Sequence, residues 1–305
     1  MIRRTALLSS VLLACAAFVG DGQAQRPSAE AVLRVVDVDG YAMRVQVSGL
    51  ASRVPGTPVV VFEAGATNSL EAWRSVVQHL IGTTPFIAYD RAGLGESAWD
   101  NQTQTPKHVS GKLRRLLREI GADPPYVLVG HSWGGSLMRF FAGYYPHEIA
   151  GIVYVDPGPI ITQSPGDELA PFEAIGAGRA GYEAFWSAYE SLLERAPAPV
   201  RAEFGVFRSL MQREVSERDL QPAPHVPVVM ILAAKPYPAL PGLPFDAQQH
   251  FIADLRHRID TLQQWALASG HGTVVVTNHT SHAVAREDPD LIVWAIQRVL
   301  SAIEK

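Results

Sequence analysis

The run PYVLVGHSWGGSLMRFF, residues 125–141, decides how this chain folds. Tyr126 to Val129 is an unbroken apolar, β-branched stretch, the pattern of a strand covered on both faces. The chain then breaks into Gly130-His131-Ser132-Trp133-Gly134-Gly135 and resumes with helical spacing. A serine between glycines at a strand-to-helix junction suits a nucleophile on a tight turn. Its neighbours must be small so that strand and helix can approach each other. The turn aims the backbone N–H of Trp133 and the N-terminus of the following helix at whatever oxygen develops charge beside Ser132. A serine capping a helix in a glycine-rich turn is the plainer use of the same residues.

Working outward, the rhythm is that of an α/β protein. VLRVVDVD and YAMRVQVSG, on either side of Gly40, alternate in polarity, and Asp39-Gly40 supplies a hairpin turn. TPVVVFEAG (57–65) is the first continuous apolar strand. Asn68 is placed to cap the next helix, with Glu71 three residues on, and Leu70, Trp73, Val76, Val77 and Leu80 recur at helical spacing. PFIAYD (85–90), GIVYVD (151–156), PVVMILAA (227–234) and GTVVVTN (272–278) complete eight strands. Helices are expected before Gly121, after Ser132 and from about Pro289 to Ile303. Strands alternating with helices predict a mostly parallel sheet with helices on both faces. Residues 160–225 interrupt the alternation with helical stripes: Phe172, Tyr182, Phe185, Trp186 and Tyr189, then Phe204, Phe207, Leu210 and Met211. They predict a helical cap between strands six and seven, with the core formed by 25–159 and 226–305. A cap over the carboxyl ends of the strands would cover a ligand site.

The chain has 305 residues, 47% of them hydrophobic, and a formal net charge of −4. That suits one large α/β unit. With no block of like charge, neither nucleic acid nor a charged membrane surface is indicated as partner. Residues 1–24 read as an export signal: Arg3 and Arg4, an apolar stretch from Thr5 to Val19, then Gly22-Gln23-Ala24 for cleavage. Leu12-Leu13-Ala14-Cys15 resembles a lipobox, the alternative reading, which would place a lipid anchor on Cys15. Cys15 is the single cysteine, so no disulfide is expected. The expected location is periplasmic or extracellular.

VGHSWGGS, VVVFEAGATNSLEAW and YDRAGLGES, in this order, resemble the α/β-hydrolase superfamily, and more narrowly its capped esterase, haloperoxidase and dehalogenase-like branch. The resemblance is dense over roughly residues 56–160 and looser over 225–300. It implies the α/β-hydrolase fold and a hydrolase of esters and related bonds. It also implies a second oxyanion donor from the loop after the first long parallel strand, the backbone N–H of Ala66. The family's usual His-Gly pair reads Ala64-Gly65 here, preceded by Glu63, so a histidine contact there is lost. Asp90 and Arg91 of DRAGLGES read as an ion pair pinning loops. With serine in the elbow, the aspartate-nucleophile chemistry of dehalogenases and epoxide hydrolases is not implied.

In this family the acid and base follow the serine in that order. VVVTNHTSHAVAREDPDLI (274–292) fits the family's histidine loop, with His282 as base and His279 as the alternative. His250, His257 and His271 read as surface histidines. A zinc site from His271, His279 and His282 lacks the usual companion ligands. The commoner acid position, after the strand that follows the cap, reads AAKPYPALPGLPF and holds no carboxylate. Asp246 comes late and reads as the cap of the helix that opens AQQHFIADLRHRI. Asp156, at the tip of GIVYVD, is the preferred acid, with Asp246 as the alternative. The expectation is therefore an exported serine hydrolase of carboxylic esters with an apolar part, using Ser132, His282 and Asp156, with Ala66 and Trp133 as oxyanion donors. No cofactor or metal is implied, and a small-molecule ester is the partner. Perhydrolysis by the same triad, or a non-catalytic binding protein on this fold, are the other readings.

Overall fold

A computed structural model describes residues 30–158, 167–211, 220–236, 238–269 and 272–303. Residues 1–24, expected as an export signal, with Cys15, and His271 lie outside the described residues. The eight strands are β1 (Val32–Val38), β2 (Tyr41–Ser48), β3 (Val59–Glu63), β4 (Phe86–Tyr89), β5 (Tyr126–His131), β6 (Ile149–Val155), β7 (Val228–Ala233) and β8 (Gly272–Thr277). They form one sheet in the order β1-β2-β4-β3-β5-β6-β7-β8. The β1–β2 and β2–β4 pairs are antiparallel and every other pair is parallel. The hairpin is made by Asp39 and Gly40, both in the left-handed region, as a tight primed turn requires.

The helices are α1 (Arg74–Val77), α2 (Pro106–Glu119), α3 (Trp133–Tyr144), α4 (Ala170–Ala174), α5 (Gly178–Leu193), α6 (Ala198–Met211), α7 (Ala247–Ser269), α8 (Val284–Glu287) and α9 (Pro289–Ile303). Period-two alternation along β5 sorts the layers. Tyr126 and Leu128 face a core completed by Leu113, Leu116 and Leu117 of α2, Met138 and Phe141 of α3, and Leu262 of α7. Val127 and Val129 face the opposite core, with Trp73, Val76, Val77, Ile292 and Ile296. Both faces of the inner parallel strands β3 and β5–β7 are thereby largely dry, which is why those strands read as continuous apolar runs.

Two local expectations differ in detail. The segment carrying Leu70 to Leu80 is a 3₁₀ turn (Leu70–Trp73) running into the short α1, although its apolar residues are buried as predicted. Its cap is Ser69, whose hydroxyl accepts from the Glu71 N–H, while the Asn68 amide donates to the Ala66 carbonyl. A capping side chain works from the residue immediately before the turn, and here that residue is Ser69.

Helices α4, α5 and α6 lie between β6 and β7 in the chain. Their aromatic residues pack mainly on one another: Phe172 against Tyr182 and Phe185, and Trp186 against Phe204 and Phe207. Phe207 and Leu210 then dock α6 on Trp133, Leu137 and Phe140 of α3. A cavity of about 100 Å³ opens between these helices and α7, with Phe172, Tyr182, Trp186, Pro157, Gly158 and Arg258 among its walls. Ser132 and His282 do not line it.

At the β5–α3 turn backbone packs directly against backbone. A Cβ on Gly134 would lie 2.3 Å from the Glu63 carbonyl oxygen and 2.5 Å from that of Ala64. Both obstacles are backbone and cannot rotate away. Gly134→Ala is expected to destabilise the protein by about 3 kcal/mol. Gly205→Ala, on a helical position with open space around it, is expected to be neutral or to stabilise by about 0.5–1 kcal/mol. Urea midpoints at constant m-value check both, and equal midpoints for the two variants would contradict this account of the turn.

Candidate active site

The site lies where the sheet order changes direction. From β3 the chain crosses to β4 on one side, and β5 returns to the other. The connections leaving β3 and β5 therefore part, and a crevice opens at the carboxyl ends of these two strands. Register puts Glu63 of β3 level with Gly130 of β5, so the loop after β3 and the turn after β5 emerge side by side.

Ser132 sits in that turn with φ +53° and ψ −122°, a conformation that β-carbon-bearing residues rarely adopt. Its N–H donates to the Val155 carbonyl (3.1 Å), and its own carbonyl accepts from Gly135 and Gly158. These bonds and the glycine contacts hold the strained residue in place. Helix α3 starts at Trp133, so the Trp133 N–H is one of the first-turn donors without a partner inside the helix. Across from it, a Cβ on Gly65 would meet the Ser132 Cβ at 3.4 Å, so the loop carrying Ala66 abuts the elbow.

Asp156 follows β6, beside β5, and is also held at positive φ (+42°). Its Oδ2 lies 2.6 Å from Nδ1 of His282. A carboxylate accepts, so this contact assigns the proton of that imidazole to Nδ1 and turns Nε2 outward as a proton acceptor. Oδ1 of Asp156 accepts from the Ala233 N–H (3.1 Å) and from Arg258 of α7 (2.8 Å). The nearby Gly158 N–H goes to the Ser132 carbonyl, not to Asp156. Burial alone would push the Asp156 carboxyl up. The Arg258 charge, the His282 hydrogen bond and the Ala233 N–H outweigh it and hold the group well below the usual carboxylate range.

The other candidates lie elsewhere. Asp246 is exposed and accepts from the N–H groups of Gln248 and Gln249 at the start of α7. His279 is exposed, and its N–H donates to the Thr277 hydroxyl. His250 is not a surface histidine. It is half-buried among Phe172, Phe185 and Phe245, because α7 packs against α4 and α5. Among the described residues no cluster of three or more His, Cys, Asp or Glu has the arrangement of a metal site.

Asp90 and Arg91 pair with other groups rather than with each other. Asp90 accepts from the N–H groups of Leu70 and Glu96 and lies 3.6 Å from Arg44. Arg91 is buried between Glu63 (2.6 Å) and Glu203 of α6 (2.5 and 2.8 Å). Tyr89 donates to the second oxygen of Glu63. Burial pushes the Glu63 carboxyl up, against the pull of Arg91 and Tyr89.

Sequence reasoning missed Arg258, Glu203 and His131. The first two are ordinary charged residues on amphipathic helices and carry no local signal. His131 stands inside the elbow motif, beside the serine, where only its ring environment reveals a role. Its Nε2 donates to the His282 carbonyl (2.8 Å), and the two rings lie 4.6 Å apart.

The family model described as alpha/beta hydrolase fold matches residues 58–219. Lipase LipV of Mycobacterium tuberculosis is 36% identical over 93 residues, 30% of this chain and 34% of that protein. Epoxide hydrolase B of the same organism is 27% identical over 157 residues, 47% of this chain and 44% of that protein. The uncharacterized protein YqjL of Bacillus subtilis is 32% identical over 120 residues, 39% of this chain and 46% of that protein. The matched segment thus spans less than half of these relatives. A haloalkane dehalogenase loop variant, DbeA-M1 of Bradyrhizobium elkanii, superposes with a TM-score of 0.59 at 18% identity, covering 90% of this chain and 98% of that one. At that identity the likeness speaks to the fold.

The enclosed His131 ring gives the site a pH dependence of its own. Burial, then the neighbouring His282, lower its pKa from 6.5 to about 4. Between those values the unfolded chain binds a proton at this position and the folded chain does not. The contribution is therefore complete above pH 6.5 and is lost as pH falls toward 4. From pH 7 to pH 5 stability is expected to drop by about 2 kcal/mol on this account. His131→Asn should remove that portion of the slope and leave the part due to other groups, such as His250, which burial also lowers. Urea unfolding at the two pH values checks it, and an unchanged slope in the variant would contradict the assignment.

Proposed function

Because the chain belongs to the alpha/beta hydrolase fold family, we propose that it is a serine hydrolase that cleaves carboxylic esters through an acyl-enzyme. The observation that carries this reading is the strained Ser132 on the strand-to-helix turn, beside a His282 imidazole held at Nδ1 by the buried Asp156. Ser132 Oγ attacks the acyl carbon and gives its proton to Nε2 of His282. The N–H groups of Ala66 and Trp133 receive the oxyanion, and both residues share one hydrophobic cluster with Phe207 and Leu210 of α6. His282 returns the proton to the departing alcohol, and water then releases the acid with His282 again as base. Asp156 keeps the imidazole in one tautomer and stabilises its charged form.

Among the similar proteins are a lipase, an epoxide hydrolase and a haloalkane dehalogenase. The serine at position 132 favours the first kind of chemistry. An acyl group on serine is an ester that water can open. An alkyl group displaced onto serine would be an ether, a dead end for turnover. The aromatic residues of α5 and α6, with Phe207 packed on Trp133 beside Ser132, are the support for an ester with an apolar acyl or alcohol part. The proposal includes export, with residues 1–24 as the leader.

Labelling with a fluorophosphonate probe should mark the peptide carrying Ser132. Ser132→Ala should lower ester turnover by about a millionfold in folded protein. Asp156→Asn should lower it by roughly a thousandfold or more. Asp246→Asn should keep turnover and change stability by less than about 0.5 kcal/mol, because an asparagine side chain caps a helix about as well as aspartate. Near-wild-type turnover in Ser132→Ala sinks the proposal, and loss of turnover in Asp246→Asn with Asp156→Asn active reassigns the acid.

Protein produced with its own leader should begin at Gln25 in an intact-mass measurement. A chain beginning at a diacylated Cys15 would show a lipid-anchored protein instead.

A further inference from the structure

The peptide groups that precede the proposed oxyanion donor are held from one side by a buried guanidinium. Arg91 Nη1 donates to the Ala64 carbonyl and Nη2 to the Gly65 carbonyl, both at 2.7 Å. In a trans peptide the C=O and N–H point in opposite directions. Fixing the Gly65 carbonyl toward Arg91 therefore turns the Ala66 N–H away from it. One residue on, Thr67 sits at φ +64°, and its N–H donates to Oε1 of Glu203 at 2.8 Å. Glu203 belongs to α6, one of the helices between β6 and β7, and is 1% exposed. The same carboxylate clasps Arg91 through Nε (2.5 Å) and Nη2 (2.8 Å), a bidentate pair that fixes the plane of the guanidinium.

The rest of the contact is built to match. Gly93, two residues after Arg91, has no side chain where Pro199 of α6 comes down: a Cβ there would lie 2.5 Å from the Pro199 Cβ. On the other flank Phe207 packs on Trp133, the second proposed donor. One helix thus touches the loop or residue behind each N–H of the oxyanion site.

We infer that Glu203 is a positioning residue, by which the docked α6 helix sets the direction of the Ala66 N–H through Arg91 and Thr67. The inference rests on the ester-hydrolase reading above. It gives α6 a part in transition-state stabilisation. Without the Glu203 carboxylate, Arg91 keeps Glu63 as its counter-charge. The guanidinium plane and the 64–67 loop lose their second anchor, and the Ala66 donor drifts from the oxyanion.

The test is Glu203→Gln in the purified full chain, assayed with a p-nitrophenyl ester and with its thionoester, in which sulfur replaces the carbonyl oxygen. Sulfur accepts hydrogen bonds weakly, so an enzyme that depends on oxyanion donors strongly prefers the oxygen ester. The variant is expected to lose about tenfold to a hundredfold in kcat with KM within about threefold. Its preference for the ester over the thionoester should shrink by about tenfold, because the misplaced donor no longer discriminates. Helix packing alone would not change that preference. If Glu203→Gln does not fold, Glu203→Asp carries the test: it keeps the charge but is one methylene short of serving both Arg91 and Thr67. Wild-type kcat and an unchanged ester preference in the folded variant overturn the inference. Those same values with Ser132→Ala inactive leave the serine-hydrolase reading standing; an active Ser132→Ala defeats both.

Discussion

Everything at this site depends on how closely the β5–α3 turn can approach the end of β3. The absent side chain of Gly134 lets the carbonyls of Glu63 and Ala64 come within what would be collision distance of a Cβ. Gly130 does the same for the first turn of α3, where a Cβ would meet the Gly134 carbonyl oxygen at 2.6 Å. Once strand, helix and neighbouring loop are this close, the residue between them has one place to go. Ser132 takes a positive φ, held by hydrogen bonds to Val155, Gly135 and Gly158. The strain is local and of the order of 1–3 kcal/mol, small beside the packing that imposes it.

The second constraint is electrostatic. Arg91 and Asp156 are buried charges at the carboxyl edge of the sheet, and each is surrounded by partners. Arg91 stands between Glu63 and Glu203, with two carbonyls for its remaining donors. Asp156 stands between Arg258 and His282, with the Ala233 N–H. A charge taken out of water without such partners would cost several kcal/mol. The networks therefore specify geometry more than they add stability: each partner has to arrive for the others to be tolerable. In the proposed reaction this is useful, because the groups that hold the imidazole and the oxyanion loop are themselves held by several hydrogen bonds each.

The core's two faces follow from the same chain logic. Alternation along β5 sends Leu128 to the α2–α3 side and Val129 to the α1–α9 side. Pro106, with Thr105 accepting from the His108 N–H, opens α2, and Pro289 opens α9. These are local signals, readable within a few residues. Glu71 illustrates where local reading stops. It suggests a capping pair with Asn68, but in the fold its carboxylate binds Arg44 and Arg74, and Ser69 does the capping.

The amino-acid sequence by itself determined the strands, the hairpin, the elbow, the helical insertion and a short set of candidate residues. Those depend on periodicity, glycine placement and β-branching, all of which act over a few residues. Only the tertiary structure decided the partners. Asp156 and Arg258 are 102 positions apart, Asp156 and His282 are 126 apart, and Arg91 and Glu203 are 112 apart. In the linear chain Asp156 is the preferred carboxylate, and Asp246 stays open as the alternative. Strand order sets them apart, putting β6 next to β5 and the Asp156 carboxyl against the His282 ring, while Asp246 stays in water at the head of α7. Long-range pairing of this kind leaves no local mark, because a buried charge needs only some opposite charge, and which one arrives is settled by how the layers pack.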